Sequence, residues 1–401
     1  MSRRIRGGWR VIVLLSLSSL VLAACGSNNT KTSTNAGQGQ NQGGGATATI
    51  GFVGALTGDN ANLGINIRNG MRVAVDEENA KGGTQVQMKE FDTAGDPAQA
   101  STIKDQFIGD QSVIGIVGPA FSGETKAVLP DLQQAGLVMI SSSATNKDLP
   151  NVVPNETVFH RVIADDALQA SGIVAYLTGL NPKPRSVAFI NDNTEYGKGL
   201  ADGVEQGAVA KGLTKALTAT VDPKAQDFSA TVNAIKGANP SHIFYGGYYA
   251  EAGRLRKQLV DAGVNAEFIS GDGSLDPGFI TAAGSQAAEG ARLTCPCNLA
   301  LETSTGSLKS FYDNYKAKIG KEPGLYSPEA YDATKILIQG IKAGNTTRPK
   351  LLDFVEHFGH YDGISKSIEF EDNGNLKSKT FFVFQVKDGK IAPLQQIEVT
   401  G

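Results

Sequence analysis

The stretch that decides the fold is IVGPAFSGETKAVLPDLQQAGLVMISSSAT, residues 116–145. The β-branched run before Gly118 predicts a buried strand, and Ser122 is placed to cap the helix that follows. Gly136 stands where that helix would end. A second strand then leads into the hydroxyl-rich run 141–145. Two neighbouring strand-to-helix turns with hydroxyls and free backbone N–H groups predict a cradle for a small anion such as a carboxylate.

Size and charge limit the possible classes of protein. A chain of 401 residues predicts two domains rather than one. The hydrophobic fraction of 40% and the aromatic fraction of 7% suit a soluble globular protein. Removal of an N-terminal segment that holds four of the 37 basic residues would leave 33 basic against 40 acidic side chains. This acidic balance argues against nucleic acid as a partner.

The N-terminus has the features of an export signal. A basic head precedes the apolar run 11–22, which is shorter than the roughly 20 residues of a membrane span. Residues 22–26, LAACG, resemble a bacterial lipobox, which implies cleavage of residues 1–24 and a diacylglycerol on Cys25; an ordinary signal with an incidental cysteine is the alternative. The polar segment 25–47 predicts a flexible tether with a reach on the order of 25 Å. We therefore expect an extracytoplasmic protein anchored to a membrane through Cys25.

The body of the chain alternates strands and helices. The order βαβαβα between residues 48 and 145 predicts a mostly parallel sheet covered by helices. The pattern restarts at Val187 with a strand, a polar loop and a helix rich in small residues. This unit and the first strand–loop–helix unit of the body both end at a Lys-Gly pair. This faint internal repeat predicts two similar α/β lobes. A helical region is predicted over 307–343, and terminal strands are predicted over 367–370 and 381–386.

Seven segments occur in a fixed order along the rest of the chain. They are GALTGDNANLGINIRNGMRVAVDEENAKGG, DTAGDP, IVGPAFSGET, ISSSAT, NDNTEYGKGL, FYGGYYAEAG and ISGDG. With this ordered set, the chain from Ile50 to its end resembles a periplasmic substrate-binding protein of ABC transporters, in the leucine/isoleucine/valine-binding branch.

The resemblance implies a specific architecture, the type I periplasmic binding protein fold. Two doubly wound lobes with parallel sheets would be joined by a hinge of three strands, with the ligand in the cleft between them. The first lobe would comprise 48–165 plus 298–365, and the second would comprise 166–297 plus 366–401.

The resemblance also implies which residues hold an α-amino acid. Ser122, Ser143, Ala144 and Thr145 would grip its carboxylate and ammonium from the first lobe, where hydroxyls and helix N-terminal amides suit a carboxylate. Asp272 matches an acid that holds the ammonium. Many members of the branch carry Glu at that position, so the shorter Asp implies a deeper ligand or a bridging water. Ordinary helix capping is the alternative role for the hydroxyls, and a solvated turn is the alternative for Asp272.

Aromatic and apolar residues complete the implied site. Tyr196 and Tyr248 match aromatic rings that close over the ligand, with packing at the cleft edge as the alternative. Leu63 and Phe121 would meet the ligand's side chain, which predicts an apolar ligand. Leucine-binding relatives carry a disulfide in the first lobe, and its two positions here are Gly95 and Phe121. The Phe121 ring would stand beside the side-chain pocket, which argues against strict leucine/isoleucine/valine specificity.

The remaining candidate groups are two cysteines and two histidines. Cys295 and Cys297, one residue apart, could form a small disulfide in an exported protein or stay as free thiols. No further ligand lies close in sequence to complete a metal site around them. His357 and His360 have helical spacing, but Gly359 between them indicates a surface helix end. We therefore expect no metal.

The sequence contains no HExxH, GxSxG or Walker motif, so neither an enzyme nor a cofactor is expected. The hypothesis is a monomeric lipoprotein that captures a small amino acid, branched-chain or otherwise apolar, and delivers it to the permease of an ABC importer. One alternative is a different ligand, such as a short amide, urea or an aromatic acid. Another is a module that reports its ligand to a membrane receptor.

Overall fold

The computed structural model describes residues 47–399. The predicted signal peptide 1–24, Cys25 and all but the last residue of the tether 25–47 lie outside this part. Within the described residues, no helix combines the length and the apolar character that a bilayer span requires.

The first third of the described chain builds a five-stranded sheet. The strands lie in the order β2-β1-β3-β4-β5, and every neighbouring pair is parallel. The elements are β1 Thr47–Gly54, α1 Ala61–Asn79, β2 Gln85–Asp92, α2 Pro97–Ile108, β3 Val113–Val117, α3 Ser122–Ala135, β4 Val138–Ser141 and β5 Phe159–Arg161.

The middle of the chain builds most of a second, seven-stranded sheet. Its elements are α4 Asp166–Gly179, β6 Val187–Asn191, α5 Glu195–Ala210, β7 Lys215–Thr220, α6 Ser229–Ala238, β8 His242–Gly246, α7 Tyr249–Asp261, β9 Glu267–Ser270, α8 Pro277–Ala283, α9 Ser285–Ala288 and β10 Arg292–Cys295. The strand order is β14-β13-β10-β9-β8-β6-β7, in which the pairs β10–β13 and β13–β14 are antiparallel and the other neighbouring pairs are parallel.

The last third of the chain contributes helices to the first sheet and strands to the second. Its elements are α10 Gly306–Ile319, α11 Ser327–Lys342, α12 Arg348–Glu356, β11 Tyr361–Asp362, β12 Ser367–Ile368, β13 Thr380–Lys387 and β14 Lys390–Glu398. Helices α11 and α12 pack on β3 and β4 of the five-stranded sheet, and α10 packs on α1. Strands β13 and β14 instead extend the seven-stranded sheet beyond β10.

Two sequence predictions for this last third need correction. The helical region predicted over 307–343 is two helices, because the chain turns at Gly320, where φ is +77°, and Pro323 follows. A left-handed glycine and a nearby proline are strong helix terminators. Strand β14 was not predicted, because its sequence KIAPLQQIE is largely exposed and carries little hydrophobic alternation.

Both faces of the five-stranded sheet are covered by helices. Ile116 and Met139 belong to one apolar cluster with residues of α2 and α3, whereas Val117 and Ile140 belong to another with residues of α1, α11 and α12. Successive strand residues point to opposite faces, so the continuous apolar runs in β3 and β4 reflect burial on both sides. Because β3 and β4 are parallel, their carboxyl ends meet at one edge of the sheet.

Two lobes follow from this topology. We call the first lobe the five-stranded sheet with the helices on it, and the second lobe the seven-stranded sheet with its helices. The chain passes between them three times: after β5, after β10 and before β13. The predicted two-lobed α/β fold with mainly parallel sheets is confirmed. The residue limits predicted for each lobe stay a prediction.

Candidate ligand-binding site

The first part of the site is the start of α3, which differs by one residue from the prediction. The cap residue is Phe121 rather than Ser122, and Ser122 is the first helical residue. Glu124 Oε2 accepts a hydrogen bond from the Phe121 N–H at 2.9 Å, and Thr93 donates to Oε1 of the same carboxylate. Burial raises the pKa of Glu124 to about 7. Since Glu124 supplies the cap, the Ser122 hydroxyl is released for another contact.

The hydroxyl-rich run after β4 folds back against this helix start. Ser122 Oγ accepts a hydrogen bond from the Asn146 N–H at 3.1 Å, and Ser143 Oγ donates to the Ala120 carbonyl at 2.5 Å. The Ala144 N–H is bound by Ser141 Oγ at 3.0 Å. The two βα turns predicted to form one cradle therefore touch each other through side-chain hydroxyls.

Ser142 and Thr145 are both buried with hydroxyls that have no hydrogen-bond partner among the described residues, and Thr145 is the one that also contacts Asp166. Thr145 is fully buried, and its carbonyl accepts a hydrogen bond from the Asp166 N–H at 2.8 Å. Its Oγ1 has no hydrogen-bond partner among the described residues. A buried hydroxyl without a partner costs free energy, which a polar ligand would recover.

Asp272 lies at the facing edge of the second lobe and is fully buried. Its Oδ1 accepts hydrogen bonds from Tyr196 Oη at 2.7 Å and Gln169 Nε2 at 2.9 Å, and its Oδ2 accepts one from Tyr326 Oη at 2.8 Å. Burial raises the pKa of Asp272, although these three donors oppose the rise. An ionised carboxylate has about four acceptor positions, so Oδ2 can take a further donor.

A second buried acid, Asp166, was not predicted as a site residue. Gln169 Nε2 joins the two acids, because it also donates to Asp166 Oδ1 at 3.1 Å. Asp166 Oδ2 has no hydrogen-bond partner among the described residues. Burial, reinforced by the charge of Asp272, raises the pKa of Asp166 well above its ordinary value, although the nearby Thr145 hydroxyl and the charge of Arg161 oppose the rise. Two adjacent buried acids with one free oxygen form a site that would stabilise a cation.

Aromatic rings lie over the acids. Tyr196 and Tyr248 are 5.1 Å apart between ring centroids, and Tyr248 and Phe121 are 4.6 Å apart. The Phe121 ring rests on Gly95, where an added Cβ would lie 2.8 Å from the ring. Gly95 and Phe121, where the family resemblance would place a disulfide, thus pack here as a ring against a glycine, and the ring also reaches Tyr248 in the second lobe.

The two lobes are in contact around these residues. Tyr326, at the start of α11 with φ +66°, carries its hydroxyl from the first lobe to Asp272 in the second. Asn62 Nδ2 donates to Asp276 Oδ1 at 3.0 Å, and Asn146 Nδ2 donates to the Glu195 carbonyl at 2.6 Å. These contacts are those of a closed two-lobed molecule.

The remaining predicted residues are Leu63 and the two cysteines. Leu63, in the first turn of α1, is fully buried in the same apolar cluster as Phe121 and Tyr196. Cys295 and Cys297 form a disulfide at the end of β10, with 5.0 Å between their Cα atoms. A groove of about 910 Å³ between the lobes passes Asn62 and Asp276 but includes none of the predicted ligand-binding residues. The buried unpaired atoms of Thr145 and Asp166 mark the site better than that open groove.

Sequence reasoning missed Asp166, Gln169 and Tyr326. An available signal was the acidic pair at 165–166, directly after a short strand and before a helix. No comparable signal marked Tyr326, because its role depends on a left-handed backbone and on a partner 54 residues away.

Comparison with known proteins agrees with this architecture. A family model described as periplasmic binding protein matches residues 47–390. The chain belongs to the periplasmic binding protein family. The Leu/Ile/Val-binding protein BraC3 of Rhizobium johnstonii is 33% identical over 350 residues, which cover 86% of this chain and 92% of that protein. The predicted resemblance to leucine/isoleucine/valine-binding proteins is thereby confirmed.

Solved structures of periplasmic binding proteins share the fold. The branched-chain amino acid transporter substrate binding protein LivJ of Streptococcus pneumoniae, in complex with isoleucine, has a TM-score of 0.79 at 25% identity, over 88% of this chain and 99% of that one. A solute binding protein of an ABC transporter from R. palustris, in complex with benzoate, has a TM-score of 0.76 over 88% of this chain and 97% of that one. Its identity is 17%, so that likeness concerns the fold alone.

Proposed function

We propose that this periplasmic binding protein is an extracytoplasmic lipoprotein that captures a small α-amino acid between its lobes and delivers it to an ABC importer. The observation that carries the proposal is the convergence of Thr145, Asp166 and Asp272 from three separate chain segments. Thr145 Oγ1 and Asp166 Oδ2 have no partner among the described residues, and Asp272 Oδ2 can accept one more donor. An α-ammonium group has three N–H donors, which matches these three acceptors.

The carboxylate of the ligand would bind on the first-lobe side. The Ser122 hydroxyl accepts a hydrogen bond from Asn146, so its own proton is free to donate. It lies at the N-terminus of α3, where backbone N–H groups and the helix dipole favour an anion. The ligand would thus bridge the two lobes and shift an open–closed equilibrium toward the closed form. No chemical step on the ligand is required.

The acid pair separates this proposal from an aromatic acid as ligand. Benzoate would add a third anionic group beside Asp166 and Asp272 and would bring no ammonium to balance them. A branched-chain or other small apolar amino acid supplies the cation, and its side chain would meet Phe121, Tyr248 and Leu63. The isoleucine complex of LivJ and the name of the Rhizobium relative support the same ligand class.

Calorimetry and thermal shift with matched ligands test the proposal. Leucine, isoleucine, valine and alanine are compared with 4-methyl-2-oxopentanoate, which has the shape of leucine but no ammonium, and with benzoate and a short amide. We expect the amino acids to raise Tm and the oxo acid to leave it unchanged, because only a ligand that binds the native state stabilises it. A rise in Tm with benzoate or the amide alone would contradict the proposal.

Transport and anchoring are tested in cells. Deletion of the gene should abolish uptake of the labelled amino acid, whereas uptake that survives deletion would indicate a sensory module. Replacement of Cys25→Ser should move the protein from the membrane fraction to the soluble extracytoplasmic fraction, because two acyl chains hold a protein to a bilayer stably.

Mass spectrometry should recover the bound ligand unchanged, whereas a converted product would indicate an enzyme.

A further inference from the structure

Arg161 is a fully buried arginine that the proposed ligand contacts do not use. It ends β5, the edge strand of the first lobe, at the first passage of the chain between lobes. Burying a guanidinium is costly unless its donors are matched by acceptors. Its Nη1, Nε and backbone N–H all donate hydrogen bonds to other segments of the chain.

One side of the Arg161 guanidinium holds the turn that carries Thr145. Nη1 donates to the Ala144 carbonyl at 3.1 Å and to the Asn146 carbonyl at 2.9 Å. The Thr145 carbonyl between them accepts the Asp166 N–H. Three successive carbonyls are therefore fixed by Arg161 and by the start of α4, which determines where the Thr145 hydroxyl lies.

The other side of Arg161 holds the third passage between the lobes. Nε donates to Asn375 Oδ1 at 2.9 Å, and the Arg161 N–H donates to the Gly374 carbonyl at 3.0 Å. Gly374 has φ +75°, and a Cβ there would lie 1.9 Å from the Phe159 carbonyl oxygen. The turn at 371–376 is therefore pressed directly on β5, and it leads into β13 of the second lobe.

Burial lowers the pKa of Arg161, and the negative charges of Asp165, Asp166 and Glu371 oppose that fall; its Nη2 has no hydrogen-bond partner among the described residues. Asp165 Oδ2 lies 3.6 Å from Nη2, and the Phe159 ring centroid lies 5.4 Å from Cζ. Arginine offers five N–H donors in a rigid planar fork, so it can bind separate acceptors on two sides at once. A lysine at this position would present one nitrogen and could not satisfy both sides.

We propose that Arg161 is a positioning residue that fixes the Thr145 turn and ties it to the passage at 371–376, so that lobe movement and the geometry of the ligand grip are coupled. Its effect on affinity rests on the proposed function, but the coupling itself is a property of the ligand-free protein. The side-chain part of this link, the Asn375 contact, can be removed without changing the buried arginine or the ligand residues, while the Arg161 N–H bond to the Gly374 carbonyl stays.

Hydrogen exchange of the ligand-free full-length protein tests the coupling. Asn375→Ala removes the Nε acceptor, and Asn373→Ala is the matched control, since its side chain accepts the Asn375 N–H in the same turn without contacting Arg161. We expect Asn375→Ala to speed exchange of peptides covering 141–147 about tenfold, because local opening loses one buried charged hydrogen bond. Asn373→Ala should leave these peptides unchanged. Equal exchange in wild type and Asn375→Ala, or equal acceleration in both variants, would overturn the proposal.

A double-mutant cycle on leucine affinity gives the second readout. Arg161→Lys should lower affinity at least tenfold, and Asn375→Ala should lower it severalfold in wild type but have no further effect in Arg161→Lys. Additive losses would overturn the coupling. A wild-type protein that binds none of the amino acids would refute the proposed function instead, and the exchange experiment would still decide the role of Arg161.

Discussion

Asp272 illustrates how a buried acid can be held by neutral hydrogen-bond donors, whereas its neighbour Asp166 also feels the positive charge of Arg161. Tyr196, Tyr326 and Gln169 surround Asp272 with neutral donors, which compensate for lost hydration but do not cancel its charge. The adjacent Asp166 then adds like-charge repulsion. A bound ammonium would relieve this repulsion. The two acids therefore destabilise the ligand-free protein and favour the binding of a cation.

The first prediction concerns the charge of Asp272. Asp272→Asn should lower leucine affinity at least tenfold, because truncating one partner of a buried charge pair typically costs about 2–5 kcal/mol. Isothermal calorimetry measures the change. Asp261→Asn, at the end of α7 in the same lobe and paired with Lys257 on the surface, is the control and should bind as wild type. Unchanged affinity in Asp272→Asn would remove this residue from the site.

The second prediction concerns Glu251, which caps α7 through the Tyr248 N–H at 2.8 Å. Burial, with repulsion from Asp192, raises the pKa of Glu251 from 4.5 to about 8. The folded protein therefore keeps a proton that the unfolded chain releases, so the free energy of unfolding falls as pH rises from about 4.5 through 8. Glu124, with a pKa of about 7, acts in the same direction.

Glu251→Gln keeps the shape of this group and removes its titration. We expect Tm of the wild type to fall between pH 6 and 9, and Tm of the variant to fall less over the same range. Scanning calorimetry at a series of pH values measures both curves. Parallel curves would show that Glu251 does not titrate in this range.

At the scale of elements, glycines in α1 allow this helix to pack closely against its neighbours. This helix packs along α11, and a Cβ on Gly70 would lie 2.2 Å from the Ser327 carbonyl oxygen at the start of α11. A Cβ on Gly64 would lie 1.9 Å from the Ala55 carbonyl oxygen. Gly70 thus lets α1 approach the turn at Tyr326 that reaches Asp272, and Gly64 lets it approach the loop after β1.

The third prediction follows from that approach. Gly70→Ala should lower the free energy of unfolding by about 1–3 kcal/mol, because backbone atoms of two helices must separate. Gly237→Ala in α6 is the control: no atom lies within 4 Å of the added Cβ, so it should stabilise by about 0.5–1 kcal/mol. Urea denaturation measures both. A Gly70→Ala variant as stable as wild type would show that the helices move apart freely.

At the scale of the molecule, a few polar contacts hold the lobes together. Asn62 donates to Asp276, and the Asn62 N–H contacts Tyr249 Oη at 3.3 Å. Such contacts contribute to the closed form only, so their loss shifts the population toward the open form.

The fourth prediction concerns this shift. Asn62→Ala should lower leucine affinity about two- to tenfold, since one hydrogen bond contributes about 0.5–1.5 kcal/mol and apparent affinity scales with the closed fraction. Calorimetry measures the affinity, and small-angle scattering measures the radius of gyration. Asn314→Ala removes a contact to Glu77 within the first lobe and should change neither. Equal affinities for both variants and wild type would contradict the role of these contacts.

Much of the fold could be predicted from local pattern. The alternation of apolar strands with helices, the helix end at Gly136 and the two-lobed architecture follow from periodicity, turn residues and an internal repeat, because these signals act over a few residues. The cap of α3 was misplaced by one residue because Glu124 competes with Ser122 for that role, and only packing decides between them.

By itself, the sequence determined the class of the fold, the family, and the three turns that carry Ser122, Thr145 and Asp272. Only the tertiary structure decided that Asp166 and Tyr326 join Asp272. It alone also decided that Arg161 links the Thr145 turn to Asn375, which lies 214 residues after Arg161 in the sequence. The physical reason is that the hydrophobic periodicity of a segment shows which of its side chains are buried. A polar contact depends instead on which distant segments of the chain come together in the fold.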